Sequence, residues 1–113
     1  MARRKLRDDP MVKLIRKHGF TKTQRAVNFV VAWVWVRETI GHDPTMYEYA
    51  EYWGTSQATA YREQEAFREV SGFDSPGQVA AAAEAAGLKL PGRRDSKPDP
   101  VEGLALIPFL AAS

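Results

Sequence analysis

The sequence predicts an all-α fold, a small bundle of about five helices. Three observations lead to this prediction. Helix-capping residues recur along the 113-residue chain, apolar side chains follow them at helical spacing, and glycine or proline closes most of these segments. A chain of this length has room for one domain with a modest core, which buries roughly 60 to 70% of the surface that the unfolded chain exposes.

The first two helices are predicted to meet near Gly19. Asp9 followed by Pro10 is typical of a helix start, and apolar residues then recur at near-helical spacing as far as Gly19. The second and longest helix is predicted over residues 22 to 40. Its start and stop signals are a capping box of Thr21 with Gln24 and the pair Gly41 and Pro44.

The middle of this second helix is ambiguous. Residues 26 to 36 are rich in β-branched and aromatic side chains, which would also suit a buried strand. Segment length and the flanking caps favour a helix. Because its apolar surface is wide, we expect either a central core helix or a helix shared with a second subunit. Trp33 and Trp35 would lie about 200° apart on a helix, and we interpret both as core or dimer anchors.

Three further helices are predicted, each with its own start signal. The capping residues are Thr45 with Glu48, then Thr55 or Ser56, then Ser75 with Gln78. The glycines that end these helices are Gly54, Gly72 and Gly87. In a winged helix, a β-hairpin follows the second helix of the motif. Because another helix is predicted at that place, we expect no wing.

The chain is expected to have four parts. Residues 1 to 8 are a basic N-terminal arm, and residues 9 to 90 are the helical domain. Residues 91 to 100 have the composition of a linker, and residues 101 to 113 form an apolar C-terminal tail. Because an exposed apolar end is unfavourable, we expect this tail to dock on the domain's own core or on a neighbouring subunit.

Charge is unevenly distributed along the chain. The net charge is only +2, but residues 1 to 25 contain nine cations and two anions, whereas residues 45 to 70 carry a formal charge of −3. A basic arm ahead of a folded domain is typical of phosphate contact in nucleic acids, although it also suits a disordered, solvated leader. The arm cations that we predict to contact phosphate are Arg3, Arg4, Lys5 and Arg7.

Residues 45 to 70 fit the definition of a helix-turn-helix, in which two helices are joined by a three- to four-residue turn with glycine. The segment EYAEYWGTSQATAYRE resembles the bacterial and phage helix-turn-helix transcriptional regulators in a small residue, a glycine and a run of the type Ser-x-Ala-Thr-x-Tyr-Arg. The matching residues are Ala50, Gly54, Ser56, Ala58, Thr59, Tyr61 and Arg62. The match covers about 25 residues.

The resemblance implies that the second helix of the motif enters the major groove of double-stranded DNA, with Ala60 turned towards the first helix. Gln57 would select adenine, Arg62 would select guanine or pair with phosphate, and Ala58 would touch a thymine methyl. Hydroxyl groups suit phosphate oxygens, although Tyr61 could equally pack at the rim of the motif. The predicted contact residues in this helix are Ser56, Gln57, Ala58, Thr59, Tyr61 and Arg62.

Only the first turn of this helix is expected to enter the groove. Glu63, Glu65 and Glu69 make its later turns acidic, and an acidic surface repels the DNA backbone over about 8 Å at physiological salt. Glu65 and Glu69 could alternatively pair with Arg62 and Arg68 on the same helix.

Several functional classes are disfavoured by what the sequence lacks. The absence of cysteine excludes disulfides, thiolate metal sites and cysteine nucleophiles. His18 and His42 lack metal-ligand spacing, and there is no phosphate loop or nucleophile elbow, so we predict no catalytic residue, metal or cofactor. The longest apolar run, Ala26 to Val36, has 11 positions and is interrupted at Asn28, against the roughly 20 consecutive apolar residues of a membrane helix. We therefore expect a cytoplasmic chain with no membrane partner.

The sequence thus predicts a small, repressor-like regulator of transcription that binds specific double-stranded DNA. Such regulators are typically homodimers that read two half-sites about one helical turn apart. The alternative is a helical protein-interaction module or adaptor, which would use the acidic helix or the apolar C-terminal tail. A protein partner could also bind a DNA-binding regulator through that tail.

Overall fold

A computed structural model describes residues 9 to 90 and 97 to 111, which form a helical bundle without strands. The six α-helices are α1 (Pro10–His18), α2 (Phe20–Ile40), α3 (Met46–Trp53), α4 (Gln57–Ser71), α5 (Pro76–Ala85) and α6 (Ile107–Leu110). A 3-10 helix (Pro100–Leu106) leads directly into α6. The predicted all-α class is confirmed, and the helix count exceeds the expected five because the C-terminal tail is itself helical.

Local capping explains most of the helix starts. The side chains that cap α1, α3, α4 and α5 belong to Asp9, Thr45, Ser56 and Ser75, as the sequence predicts. Each accepts a hydrogen bond from a backbone N–H in the first turn, which would otherwise have no partner. Both predicted capping boxes that follow Gly41 are complete, because the carboxylate or amide side chain three residues on accepts from the capping residue's own N–H.

The predicted capping box at Thr21 is wrong. Helix α2 begins at Phe20, directly after Gly19, whose φ of 89° lets a single residue end α1 and begin α2. No side chain caps this start, and Thr21 lies in the first helical turn. The Thr23 hydroxyl instead donates to the Gly19 carbonyl oxygen at 2.8 Å.

Helix α2 is the central helix of the bundle. Every residue from 29 to 36 is buried, and α1, α3, α4, α5 and the 3-10 helix all pack on it. Trp33 lies against Gly77 of α5, whereas the Trp35 ring lies 5.8 Å from the ring of Trp53 on α3. The ambiguous middle is therefore a core helix, and one chain covers its apolar surface on all sides.

The C-terminal tail docks on the core of its own chain. Leu106, Ile107 and Leu110 are buried against the bundle. Where the 3-10 helix crosses α2, a methyl group in place of the Gly103 hydrogen would lie 2.5 Å from Val27 Cγ1. Glycine is therefore the residue that permits this close approach.

Removing the buried end of the tail should destabilise the whole bundle. Leu110 is fully buried, whereas Leu104 in the same segment is half exposed. We expect Leu110→Ala to lower the free energy of unfolding by about 2–5 kcal/mol, because it leaves a cavity. Leu104→Ala, the matched control, should cost less than about 1 kcal/mol. Urea denaturation measures both, and equal small effects would contradict docking of the tail.

Candidate nucleic-acid interface

Helices α3 and α4 are joined by a three-residue turn. Gly54 ends α3 in the left-handed region, with φ of 82°, and its N–H donates to the Ala50 carbonyl oxygen at 2.9 Å. The Thr55 N–H donates to the same oxygen at 3.0 Å. Ser56, rather than Thr55, then caps α4. These contacts end α3 and start α4, which produces the helix, turn and helix that the sequence predicts.

The predicted contact residues of α4 share its exposed N-terminal end. Gln57, Ala58, Tyr61 and Arg62 are all exposed, and Tyr61 is 54% exposed. Ala60, between them, is completely buried, as expected for the residue that faces α3. The first two turns of α4 therefore present one outward surface above a buried inner side.

Ser56 and Thr59 are bound to each other. The Ser56 hydroxyl accepts the Thr59 N–H at 3.1 Å and donates its own proton to the Thr59 hydroxyl at 3.0 Å. The Ser56 proton is thus already used within the cap, whereas the Thr59 hydroxyl keeps its proton for another acceptor. Of these two hydroxyls, that of Thr59 is therefore the one with a proton left to donate.

The remaining predicted contacts belong to the N-terminal arm. Arg3, Arg4, Lys5 and Arg7 lie outside the described residues, which begin at Asp9.

A buried polar contact ties the two helices of the motif together. The Tyr49 hydroxyl of α3 donates to the Glu63 carboxylate of α4 at 3.3 Å, and only 9% of Glu63 is exposed. Burial raises the pKa of the Glu63 carboxyl, against the hydrogen bond from Tyr49 and the positive charge of Arg25. Burial likewise raises the pKa of Tyr49, with a further contribution from the charge of Glu63. Glu63 thus occupies an inward position at which an apolar residue would be usual.

The end of α3 is clamped by a residue of the predicted linker. The Lys97 ammonium donates to the Trp53 carbonyl oxygen and lies 5.2 Å from the Trp53 ring. A side chain at Gly54 would meet the same ammonium, because a Cβ there would be 3.0 Å from it. A positive charge at this point also suits the negative end of the α3 dipole. The turn is therefore supported from the chain that follows α5.

Two cations of α2 lie beside α4, in a cleft of about 190 Å³. The residues that line it are Lys22, Arg25, Arg62, Glu65, Ala66 and Glu69. Lys22 Nζ is 2.5 Å from Glu69 Oε2. The alternative prediction that Glu69 pairs with an arginine of its own helix is therefore wrong, because the partner of Glu69 is Lys22 of α2. The packing of α2 on α4 brings the two charges together across helices.

The sequence motif does not include Lys22 or Arg25. A signal for them was present, because Lys22, Arg25 and Phe29 recur at positions i, i+3 and i+7 and so share one face of α2. The Phe29 ring packs 5.7 Å from Phe67 of α4, and this contact turns the whole face towards α4. Which helix covers that face depends on tertiary packing.

His42 takes part in local structure. His42 Nε2 lies 2.8 Å from Glu48 Oε2, and the Thr45 N–H together with His42 lowers the pKa of the Glu48 carboxyl. Within residues 9 to 90 and 97 to 111, no three side chains of histidine, aspartate or glutamate are grouped so that they could hold a metal ion.

No protein-family model, curated protein or solved structure matches this chain. None of the helices in the part that the structure describes combines the length and the apolar character needed to cross a bilayer.

Replacing Glu63 by glutamine should stabilise the protein in a pH-dependent way. Because the pKa of Glu63 is raised, its contribution to stability is fully present below the ordinary value of 4.5 and is lost as the pH rises through the raised value. Glu63→Gln keeps an acceptor for Tyr49 and removes the buried charge. We expect this variant to match the parent at acid pH and to exceed its free energy of unfolding near neutrality.

Urea denaturation between about pH 4 and pH 8 measures this difference. Glu65→Gln is the control, because Glu65 is exposed on the same helix. A gap between Glu63→Gln and the parent that stays constant with pH would show that the Glu63 carboxyl titrates normally.

Proposed function

We propose that this protein is a repressor-like regulator of transcription that binds specific double-stranded DNA with the first turns of α4. The observation that carries the proposal is the exposed group of Gln57, Ala58, Tyr61 and Arg62 at the N-terminal end of that helix. A three-residue turn and a buried contact between Tyr49 and Glu63 hold α4 on α3. A rigid support of this kind is what base recognition requires.

The chemistry of these side chains suits the edges of base pairs. Gln57 can form two hydrogen bonds with adenine, Arg62 can form two with guanine, and Ala58 can contact a thymine methyl. The free N–H groups of the first turn and the positive end of the helix dipole favour a phosphate near Thr59. The basic arm, with Arg3, would add phosphate contacts that do not depend on sequence.

The protein-interaction alternative has less surface available to it. Leu106, Ile107 and Leu110 of the apolar tail are covered by the bundle. On the acidic helix, Glu63 is buried. These observations favour the DNA-binding proposal over an adaptor that binds through its tail or through α4.

Selection of bound duplexes from a random pool tests the proposal. We expect a recurrent sequence to be recovered, and we expect Arg62→Ala to weaken binding to it by about 1–3 kcal/mol, roughly 5- to 150-fold, with relaxed preference at one position. Arg68→Ala is the control, since Arg68 is exposed two turns further along α4. Failure to retain any duplex at low salt would refute DNA binding.

We also propose that the protein binds DNA as a homodimer. The apolar surface of α2 is buried within one chain, so the proposal rests on the two-fold symmetry of the half-sites that such proteins read. Sedimentation equilibrium at micromolar concentration should give twice the 12.7 kDa of one chain. A mass of 12.7 kDa for the free protein, together with one chain bound per duplex, would contradict the proposal.

A further inference from the structure

We infer that the cleft between α2 and α4 is a second DNA-contact site, in which Arg25 and Lys22 bind a backbone phosphate and Glu69 restrains Lys22. The inference rests on the proposed function and extends it to residues outside the helix-turn-helix. It assigns these cations to the DNA backbone, beside the bases that α4 would read.

The two cations are held on one side of α2 by the core. Lys22 and Arg25 are one turn apart, and Phe29 one turn further packs 5.0 Å from the Tyr49 ring and 5.7 Å from the Phe67 ring. Because Phe29 is buried between α3 and α4, α2 cannot rotate this face away from the motif. The position of the cations is therefore set by the same packing that sets the motif.

The cleft is continuous with the candidate base-reading surface. Arg62 lines the cleft and also belongs to the exposed N-terminal end of α4. A duplex that meets Gln57 and Arg62 would therefore bring a phosphate of its backbone towards Arg25. Contacts of this kind set the position of a protein on DNA without reading its sequence.

The charges of the cleft suit one phosphate. Three cations and two carboxylates line the cleft. The Lys22 ammonium and the Glu69 carboxylate already form an ion pair at 2.5 Å. The side chains of this pair are 48% and 44% exposed, so water competes for both, and Lys22 can exchange Glu69 for a phosphate at little cost. Arg25 makes no ion pair with any residue that the structure describes, although its charge acts on the buried Glu63 carboxyl.

A polyanion fits this cleft better than a single small anion. Lys22, Arg25 and Arg62 are all exposed, so a lone ion between them would remain largely hydrated. A duplex gains affinity by releasing condensed counterions at each phosphate that a cation neutralises. The occupant that these exposed cations favour is therefore the DNA backbone.

Binding of a random-sequence duplex over a range of salt concentrations tests the inference without knowledge of the preferred site. Log affinity falls as log salt rises, and each phosphate contact makes this negative slope steeper by about 0.9, which is about a 3.5-fold change in affinity between about 50 and 200 mM salt. We expect Arg25→Ala to make the slope shallower by about 0.9 and Arg25→Lys to leave it unchanged, because lysine retains the charge. Fluorescence anisotropy measures the affinities.

Two controls separate the cleft from general charge and from folding. Lys89→Ala removes the same charge from an exposed lysine that does not line the cleft, and it should leave the slope unchanged. Thermal unfolding of each variant checks that it is folded, since Arg25 also acts on Glu63. If Arg25→Ala and Lys89→Ala have equal slopes, the cleft does not bind DNA and the inference is overturned.

Glu69→Gln tests the restraint on Lys22. Without the carboxylate, Lys22 should bind the phosphate more readily, and we expect tighter binding than that of the parent at low salt. An unchanged affinity at low salt would overturn the role assigned to Glu69. If the parent protein binds no duplex at low salt, the proposed function itself fails. If the parent binds and Arg25→Ala has the same slope as the parent, only the inference about the cleft fails.

Discussion

Burial of the middle of α2, residues 29 to 36, on every side is the constraint on which the rest of the structure depends. An apolar segment of helix with no solvent face must be covered completely, and the other elements are placed by the part of α2 that they cover. Helices α3 and α4 pack on Phe29, α5 packs on Trp33, and the 3-10 helix packs on Val27. Because α3 and α4 both pack on α2, their relative position is set by a third helix as well as by the turn between them. The tail then closes the last open side.

The inner side of the motif combines this apolar packing with one polar contact. A carboxyl at Glu63 is costly to bury, and the hydrogen bond from Tyr49 together with the charge of Arg25 offsets part of that cost. The contact links α3 and α4 directly, and α2 through Arg25. With Ala60 and Glu63 turned inward, the side chains left exposed at this end of α4 are those of the proposed DNA contact.

The charge pattern has a different meaning in three dimensions from the one it has along the chain. In the sequence, the first 25 residues are basic and the motif is acidic, so opposite charges lie in separate parts of the chain. Packing α2 on α4 places Lys22 and Arg25 beside Arg62 and pairs Glu69 with Lys22. The acidity of α4 is thereby partly compensated across the helix pair, close to the surface proposed to meet DNA.

The sequence by itself determined the helices, most of their ends and the motif, because capping contacts involve residues two or three positions apart. Asp9, Thr45, Ser56 and Ser75 cap as their local patterns predict. Tertiary structure decided what covers α2, where the tail docks, and which charges become neighbours. Those outcomes depend on residues far apart in the chain, such as Val27 with Gly103 and Lys22 with Glu69, whose contact no local pattern specifies.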